Sequence, residues 1–407
     1  MKRLIITIFA LLIIVFSGSF VYREIAVAPI IDDSDLSVPL EGSPLADEGS
    51  LAESSADADS IDNDGDADSV DNDEIYASDI EGDGDDIDDD DIEDDEPEEP
   101  PVELVSITIS AAGDTTLGGD PRGARMFIRE FELHGSDHSH FLANVRHIFE
   151  EDDLTIVNLE GTLTDATAHL DKTFVLRAPP HYAKILSSSG VDAVTLANNH
   201  SKDFLERGYQ DTLASLEEEG IAYFGDGINT ILEINGIRVG LFGLAIWVGG
   251  TNSDRLISKA VDDLRERGAQ LIIAYYHWGT ELSNTPAKHQ RTLGHFSIDN
   301  GVDLVLGSHP HVLQGIEEYN GKYIVYSLGN FSFGANNNPA DHDSLIFQQT
   351  FIFEDGSLLD TRDINIIPVL ISSEKGRNNF QPIIAEGEDA ERIMERIGKY
   401  SDLLNDP

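Results

Sequence analysis

Cysteine is absent from the 407 residues of the chain. Without thiols the protein can form neither disulfide bonds nor thiolate metal sites. Any metal site must therefore be built from oxygen and imidazole ligands, which suit ions such as Mn, Fe, Zn, Mg or Ca.

Basic residues are absent from a long stretch near the N-terminus. Residues 31–100 contain 31 Asp and Glu but no Lys or Arg. Residues 101–407 are also acidic, with 45 acidic and 23 basic side chains and a net charge near −22. Such a surface argues against nucleic acid as a partner, because affinity for phosphate backbones comes mainly from Lys and Arg. It fits a cation-rich or saline exterior.

Residues 30–103 also have almost no aromatic side chains. They cannot bury enough apolar surface to offset the entropy of ordering them, so we expect a self-repelling, disordered acidic linker. Within it, residues 62–68 resemble a calcium-binding loop. Asp71 stands where such a loop needs Glu at its twelfth position, and we favour a solvated spacer over a calcium site.

Residues 4–22 carry no charge and follow Lys2 and Arg3. A membrane-spanning helix needs about 20 apolar residues, and flanking basic residues stay in the cytoplasm. We therefore predict that residues 1–29 form a single-pass membrane anchor with the globular part extracellular. A removed signal peptide is the alternative, although Pro29 follows the only Ala-x-Ala pattern and should hinder cleavage.

The globular part begins near residue 104 and alternates strand patterns with helix patterns, which predicts a layered α/β domain over residues 104–372. Strong turn dipeptides at 235–236 and 320–321 predict two hairpins, and a third strand pair turns at 354–356. The sheets are therefore mixed, and large enough for two sheets packed together with helices outside. A C-terminal extension, 373–407, ends in an amphipathic helix at about 387–404. The predicted strands are 104–110, 154–157, 191–196, 221–224, 271–276 and 302–306, and the predicted helices are about 139–150, 180–189, 205–219, 253–267 and 287–300.

Polar residues follow six of the predicted strands, where the loops of an α/β fold converge on one edge. Each alone has an ordinary alternative, such as a turn residue, a helix cap or a core histidine. Their joint presence favours a shared metal site. The residues are Asp114, Asn158, Glu160, Asn199, His200, His277, Glu281, His309, His311 and Asn330.

His309 and His311 carry this prediction furthest. Side chains two residues apart in an extended chain point the same way, so both imidazoles can address one point in space. Two charged imidazoles on one side would repel each other, which favours an ion between them.

Six short motifs in this order resemble the CapA family of poly-γ-glutamate capsule biosynthesis proteins, within the calcineurin-like metallophosphatase superfamily. They span roughly residues 104–335. The motifs are Gly-Asp-Thr-Thr-Leu-Gly at 113–118, Asn-Leu-Glu-Gly-Thr-Leu-Thr at 158–164, Ala-Asn-Asn-His at 197–200, His-Trp-Gly-Thr-Glu at 277–281, Gly-Ser-His-Pro-His-Val at 307–312 and Tyr-Ser-Leu-Gly-Asn-Phe at 326–331.

The resemblance implies a four-layer α/β/β/α sandwich with two divalent ions, of Mn, Fe, Zn or Mg, at one edge. It places Asp114 on the first ion, Glu160 between the ions, and His200 beside the substrate as a general acid. The remaining ligands that it implies are Asn199, His277, His309 and His311, while Asn158 and Glu281 orient ligands or substrate. Asn330 is a further candidate for a place beside the substrate or behind the ligands.

The chain departs from the superfamily pattern at the first ion. Thr116 stands where an Asp-x-His motif has histidine, and Glu160 replaces the usual bridging aspartate. The segment that follows His200 runs through Asp203 to Gly208 and is two residues longer than usual.

A second group of histidines, His134, His138 and His140, lies in a loop between predicted helices. We expect a solvated loop rather than a metal site, or one histidine at the substrate entrance.

Three functions remain open from these patterns. The first is a membrane-anchored protein for synthesis, export or anchoring of poly-γ-glutamate or a similar anionic polymer, working with membrane subunits of a capsule synthase. The second is a secreted phosphoesterase acting on a phosphate ester or an envelope polymer. The third is a non-catalytic subunit that binds the polymer.

Overall fold

The computed structural model describes residues 25–27, 104–123, 125–247, 251–359 and 363–404. The predicted anchor at 4–22 and the predicted linker at 30–103 lie outside these residues. None of the helices within the described residues has the length and apolarity needed to cross a membrane.

The described part is a mixed α/β fold, as the alternating patterns predicted. Its strands in chain order are β1 (Ile25–Val27), β2 (Leu104–Thr116), β3 (Leu154–Leu159), β4 (Thr162–Leu163), β5 (Arg177–Ala178), β6 (Ala193–Thr195), β7 (Ala222–Phe224), β8 (Thr230–Ile234), β9 (Ile237–Ile246), β10 (Leu271–Trp278), β11 (Leu304–Ser308), β12 (Ile316–Tyr319), β13 (Lys322–Val325), β14 (Asn330–Phe333), β15 (Asp343–Glu354), β16 (Ser357–Leu358), β17 (Asp363–Leu370) and β18 (Ile383–Ile384). Its α-helices are α1 (Met126–Leu133), α2 (Arg146–Glu151), α3 (Ala183–Ser187), α4 (Leu205–Glu218), α5 (Thr251–Glu266), α6 (Lys288–Asp299) and α7 (Gly387–Asp402).

Two large sheets and one small one hold these strands. The larger sheet has the order β18-β17-β15-β2-β3-β6-β7, with β14 paired to β2 and β16 paired to β15. The other large sheet has the order β1-β8-β9-β10-β11-β13-β12, and β4 pairs with β5 separately. Strands β2, β3, β6 and β7 run parallel, as do β9, β10, β11 and β13. The carboxyl ends of these strands carry the predicted site residues.

The alternating side chains of the central strands divide between separate hydrophobic clusters. Ile156 of β3 and Ile273 of β10 share a cluster to which both large sheets contribute. Val157, the neighbour of Ile156, instead joins a cluster with α1 and α4, while Ile272 joins one with α5 and α6. Because successive side chains of a strand point to opposite faces, both faces of these central strands are buried. Burial on both faces explains why these strands read as continuous apolar runs.

Not every predicted helix has its predicted bounds. The helix predicted at about 139–150 begins only at Arg146, since Oδ1 of Asp137 accepts bonds from the backbone N and the hydroxyl of Ser139 and holds a turn there. The helix predicted at 180–189 is a 3₁₀ turn, Pro180–Tyr182, followed by α3. Helix α1 was not predicted. The two hairpins and the last helix, α7, lie where the sequence placed them.

Candidate metal centre

Parallel strands of both large sheets deliver the predicted residues to one place. Asp114 of β2 lies in register with Asn158 of β3, beside a local irregularity in the pairing. His277 comes from β10, and His309 directly follows β11. The hydroxyl of Tyr275 joins the two sheets beneath them, since it donates to the carbonyl of Ala112 at 2.9 Å and lies 2.8 Å from the Ser308 hydroxyl.

His309 and His311 do not lie on an extended segment, so that premise was wrong. Strand β11 ends at Ser308, and both histidines have left-handed backbone angles, with φ of 98° and 58°. Such angles are strained for residues other than glycine and persist where the surroundings enforce them. The two rings nevertheless reach the same group of side chains, with their centroids 5.9 Å apart.

Three candidate ligand atoms lie close to a fourth, the Nε2 atom of buried His277. Asn199 Oδ1 lies 2.9 Å from it, His309 Nδ1 lies 3.1 Å away, and Glu160 Oε1 lies 3.6 Å away. A single N–H cannot serve three acceptors well, whereas a divalent cation accepts electron pairs from all four atoms.

A second group forms around His311. Its Nδ1 lies 2.9 Å from Asp114 Oδ2, and its Nε2 lies 3.9 Å from Glu160 Oε1. Candidate ligand atoms of these three residues all lie within 4.8 Å of one another. Glu160 belongs to both groups, and a ligand shared between two ions would need this position.

Glu281 lies on the open side of the centre. Its carboxylate, His309 and His311 form a further group with atoms within 4.8 Å of one another, and Glu281 is exposed while the two carboxylates of the centre are buried. Trp247 was not predicted, yet its ring stands edge-on to His309 with centroids 4.8 Å apart.

Asn158 connects the group of side chains around His277 with the group around His311. Its Nδ2 donates to Asp114 Oδ1 at 2.8 Å and lies 3.2 Å from His277 Nδ1. Its oxygen accepts from the amide of Asn198, whose own oxygen accepts from the backbone N of His200. The backbone donor therefore fixes the orientation of both amides.

His200 has a partner that the sequence analysis missed. Its Nδ1 lies 2.6 Å from Asp203 Oδ2, and Asp203 is fully buried. Lys172 Nζ binds both Asp203 Oδ1, at 2.9 Å, and the backbone oxygen of Asn199, at 2.8 Å. Lys172 therefore links Asn199, a candidate metal ligand, to the Asp203 carboxylate that contacts His200. Asp203 follows His200 by three residues in a turn, and that spacing was the only available signal.

The charges of the centre perturb one another because it is buried. Burial raises the pKa of Glu160 to about 8, and the charge of Asp114 adds to the effect. Burial opposes a charge on His311, but the charges of Glu160 and Asp114 raise its pKa to about 10. Burial and His311 lower the pKa of His309 to about 4, and burial also holds the pKa of His277 well below its usual value.

The donor set fits divalent ions. Glu160 Oε2 is buried without a hydrogen-bond partner, although such atoms are normally satisfied. The neighbouring atoms are carboxylate and amide oxygens and imidazole nitrogens, which suit Mn, Fe, Zn or Mg. The lowered pKa values of His277 and His309 leave these imidazoles neutral, as metal ligation requires.

A cavity of about 880 Å³ opens beside the centre. Glu160, His200 and His311 contribute to its wall, together with Glu281 and Asn330. Three arginines also line it, in a domain with twice as many acidic as basic side chains: Arg122, Arg125 and Arg177.

The second histidine group lies outside this cavity. His134 stacks on His140 with centroids 3.7 Å apart, while His138 Nε2 lies 2.9 Å from His181 Nδ1. None of the three predicted histidines lines the cavity that the described residues form.

Comparisons with known proteins point the same way as the motifs. The family model described as bacterial capsule synthesis protein PGA_cap matches residues 108–335. The capsule biosynthesis protein CapA of Bacillus anthracis is 32% identical over 220 residues, which cover 48% of this chain and 53% of that protein. The PGA biosynthesis protein CapA of Bacillus subtilis strain 168 is 28% identical over 261 residues, covering 58% of this chain and 66% of that protein. The chain thus spans about half to two thirds of the length of these relatives.

More distant matches include a probable polyglutamine synthesis accessory protein of Mycobacterium tuberculosis, 26% identical over 209 residues, covering 44% of this chain and 54% of that protein. A hypothetical protein of Thermus thermophilus has a solved structure that is 18% identical, with a TM-score of 0.39, covering 64% of this chain and 98% of that one.

Proposed function

The chain belongs to the bacterial capsule synthesis protein PGA_cap family, and from this premise we propose that it serves the synthesis, export or anchoring of an anionic capsule polymer through a metal centre. Poly-γ-glutamate or a similar polymer is the proposed partner. The names of the two Bacillus relatives support the role in capsule synthesis, and Arg125 and Arg177 of the cavity wall offer cations to an anionic ligand, whereas Arg122 is paired with Asp120.

The proposed centre holds two divalent ions. Asp114, Glu160 and His311 would hold the first ion. Asn199, His277 and His309 would hold the second, together with Glu160. The observation that carries this assignment is the approach of three candidate ligand atoms to His277 Nε2, beside a buried, unpartnered carboxylate oxygen of Glu160.

The metallophosphatase-like four-layer α/β/β/α sandwich is part of the same proposal. Its support is the division of the core, with one cluster to which both large sheets contribute and two clusters between a sheet and its helices.

Bound ions would supply an activated oxygen nucleophile and stabilise charge on the reacting oxygens. The protein itself positions a proton at His200. Asp203 accepts a hydrogen bond from its Nδ1, so Nε2 is the ring nitrogen left for a ligand in the cavity, and it donates a proton only when the ring carries both protons. Lys172 holds Asp203 and the Asn199 backbone together, which keeps the proton donor at a fixed place relative to the proposed ligands.

We further propose that residues 4–22 anchor the chain in the cell membrane with the domain outside, where it meets the polymer and membrane subunits of a capsule synthase. The acidic residues 30–103 serve as a spacer that an anionic polymer would approach only when cations screen it. Determining the mature N-terminus and the accessibility of the domain to protease on intact cells tests this arrangement. A domain protected inside the cell would contradict it.

The central experiment is metal analysis of the purified full chain, followed by sedimentation with poly-γ-glutamate. We expect bound divalent ions and ion-dependent association with the polymer, both lost in His309→Ala. A neutral polysaccharide is the matched control. A protein without divalent ions, or equal association with the neutral polymer, would refute the proposal.

A phosphoesterase is the second candidate, and the His200–Asp203 pair beside the two-ion ligand set favours it. Such an enzyme needs a proton donor for the leaving oxygen. Turnover of a chromogenic phosphodiester with Mn²⁺, lost on His309→Ala, would support it. Full ion content without any turnover would exclude it.

A further inference from the structure

Asn330 makes two contacts with a single neighbour. It begins β14, lies in register with Asp114 of β2, and is 1% exposed. Its Oδ1 lies 3.0 Å from Nδ1 of His311, and its Nδ2 donates to the backbone oxygen of His311 at 3.2 Å. Both polar ends of this buried amide are therefore used on His311.

The backbone contact fixes which end of the amide faces the ring. A carbonyl oxygen only accepts, so the Asn330 nitrogen must point to the His311 backbone. The amide oxygen then faces Nδ1 at 3.0 Å, beside Asp114 Oδ2 at 2.9 Å from the same nitrogen, and because neither oxygen can donate, Nδ1 carries a proton. The other ring nitrogen, Nε2, is left on the side of Glu160, at 3.9 Å from Oε1.

His311 depends on such a partner for both its backbone and its ring. Its φ of 58° is unfavourable for a side-chain-bearing residue, and the bond from Asn330 to its carbonyl helps to hold that conformation. Thr116 supplies no imidazole to the first ion, so His311 is the one histidine in the group with Asp114 and Glu160. A ring turned the wrong way would leave that ion without a nitrogen ligand.

We propose that Asn330 is a positioning residue, which holds His311 in the tautomer and orientation that present Nε2 to the first ion. The proposal rests on the two-ion centre proposed above. The amide acts through His311 and does not bind the ion itself. Polar groups behind metal-bound histidines fix the ring in this way and typically contribute about 10–100-fold to metal affinity.

The test uses the full chain labelled with ¹⁵N-histidine and loaded with Zn²⁺, observed by NMR. In the wild type we expect His311 to have a protonated Nδ1 and a zinc-bound Nε2. Asn330→Leu should lose this single tautomer and bind the first ion about 10–100-fold more weakly, while the His309 signals of the second ion stay unchanged. Asn330→Asp keeps an acceptor for Nδ1–H but loses the donor to the His311 backbone, so it should retain the wild-type tautomer and tests the ring contact separately from the backbone contact.

Asn337→Leu is the matched control, because Asn337 is an exposed amide on the cavity wall. If circular dichroism shows that Asn330→Leu does not fold, Asn330→Ala takes its place. Zinc bound to Nδ1 of His311 would overturn the proposal, as would an Asn330 variant that binds both ions like the wild type. A wild-type chain that binds no zinc would instead refute the metal centre as a whole.

Discussion

Ion binding to the centre should release protons, because two of its ligand groups hold protons at neutral pH. The pKa values of Glu160, about 8, and of His311, about 10, both lie above pH 7. His309, with a pKa of about 4, has no proton to release, and the lowered pKa of His277 leaves it neutral as well. An arriving divalent ion must therefore displace a proton from Glu160 and another from His311.

The number of displaced protons sets the pH dependence of the affinity. A ligand whose pKa is raised is protonated below that pKa, so ion affinity must increase as the pH rises. Each displaced proton changes the affinity about tenfold per pH unit, so two protons give about a hundredfold increase per unit below pH 8. Once Glu160 has titrated, the increase should fall to about tenfold per unit up to pH 10.

Isothermal titration calorimetry of the chelator-treated full chain measures this release. Titration with Mn²⁺ at pH 6 and pH 7, in buffers with different ionisation enthalpies, gives the number of protons released when the centre of one chain binds its ions. We expect about two at both pH values. Affinity that stays constant between pH 6 and pH 7, or heats that do not depend on the buffer, would refute the reasoning about Glu160 and His311.

Three substitutions test other parts of the structure. His309→Ala should remove bound metal and function while circular dichroism shows an intact fold, and a full metal complement would contradict the ligand assignment. Asp203→Asn should leave the metal content unchanged but reduce any hydrolytic turnover about a hundredfold or more, because the imidazole of His200 loses the carboxylate that orients it. Unchanged turnover would show that His200 is not the proton donor. Changing Arg392 and Arg396 together to Ala leaves buried Asp343 without its cations and should lower the free energy of unfolding by about 1–3 kcal/mol, measured by urea denaturation.

Two exposed residues provide matched controls for these variants. His147→Ala removes an imidazole from the surface of α2, and Lys399→Ala removes a cation from the surface of α7. Neither change should alter metal content or stability measurably, since surface substitutions usually fall within about 0.5 kcal/mol.

The strand ends were predictable because parallel strands buried on both faces leave clear apolar runs. Asp114 and His277 interrupt such runs with polar groups, and the parallel pairing of the strands brings them to one edge. The same logic placed Asn158 and Glu160 correctly relative to Asp114. These positions follow from strand direction alone, before any side-chain contact is known.

Other parts of the centre depend on tertiary contacts that no local pattern records. Asp203 sits in a turn, and its role follows only from the approach of its carboxylate to the ring of His200. The left-handed backbone of His311 is similarly invisible in the sequence, because histidine disfavours that conformation and Asn330, from a strand further along the chain, helps to hold it. Helix α1 was missed although its apolar residues face the core.

The hydroxyl of Tyr275 gives the centre a property beyond its ligand list. It joins the β2 backbone to Ser308 at the end of β11, so ligands from the two sheets cannot move apart independently. If the distance between ligands from the two sheets is fixed, the centre selects ions by their radius. Ions with short bonds of about 2.0–2.1 Å are then favoured over Ca²⁺, which prefers about 2.3–2.6 Å and more oxygen ligands. Removing only that hydroxyl, as in Tyr275→Phe, should lower the ratio of the Mn²⁺ affinity to the Ca²⁺ affinity. Size selection would then be a property of the contact between the sheets as well as of the ligands themselves.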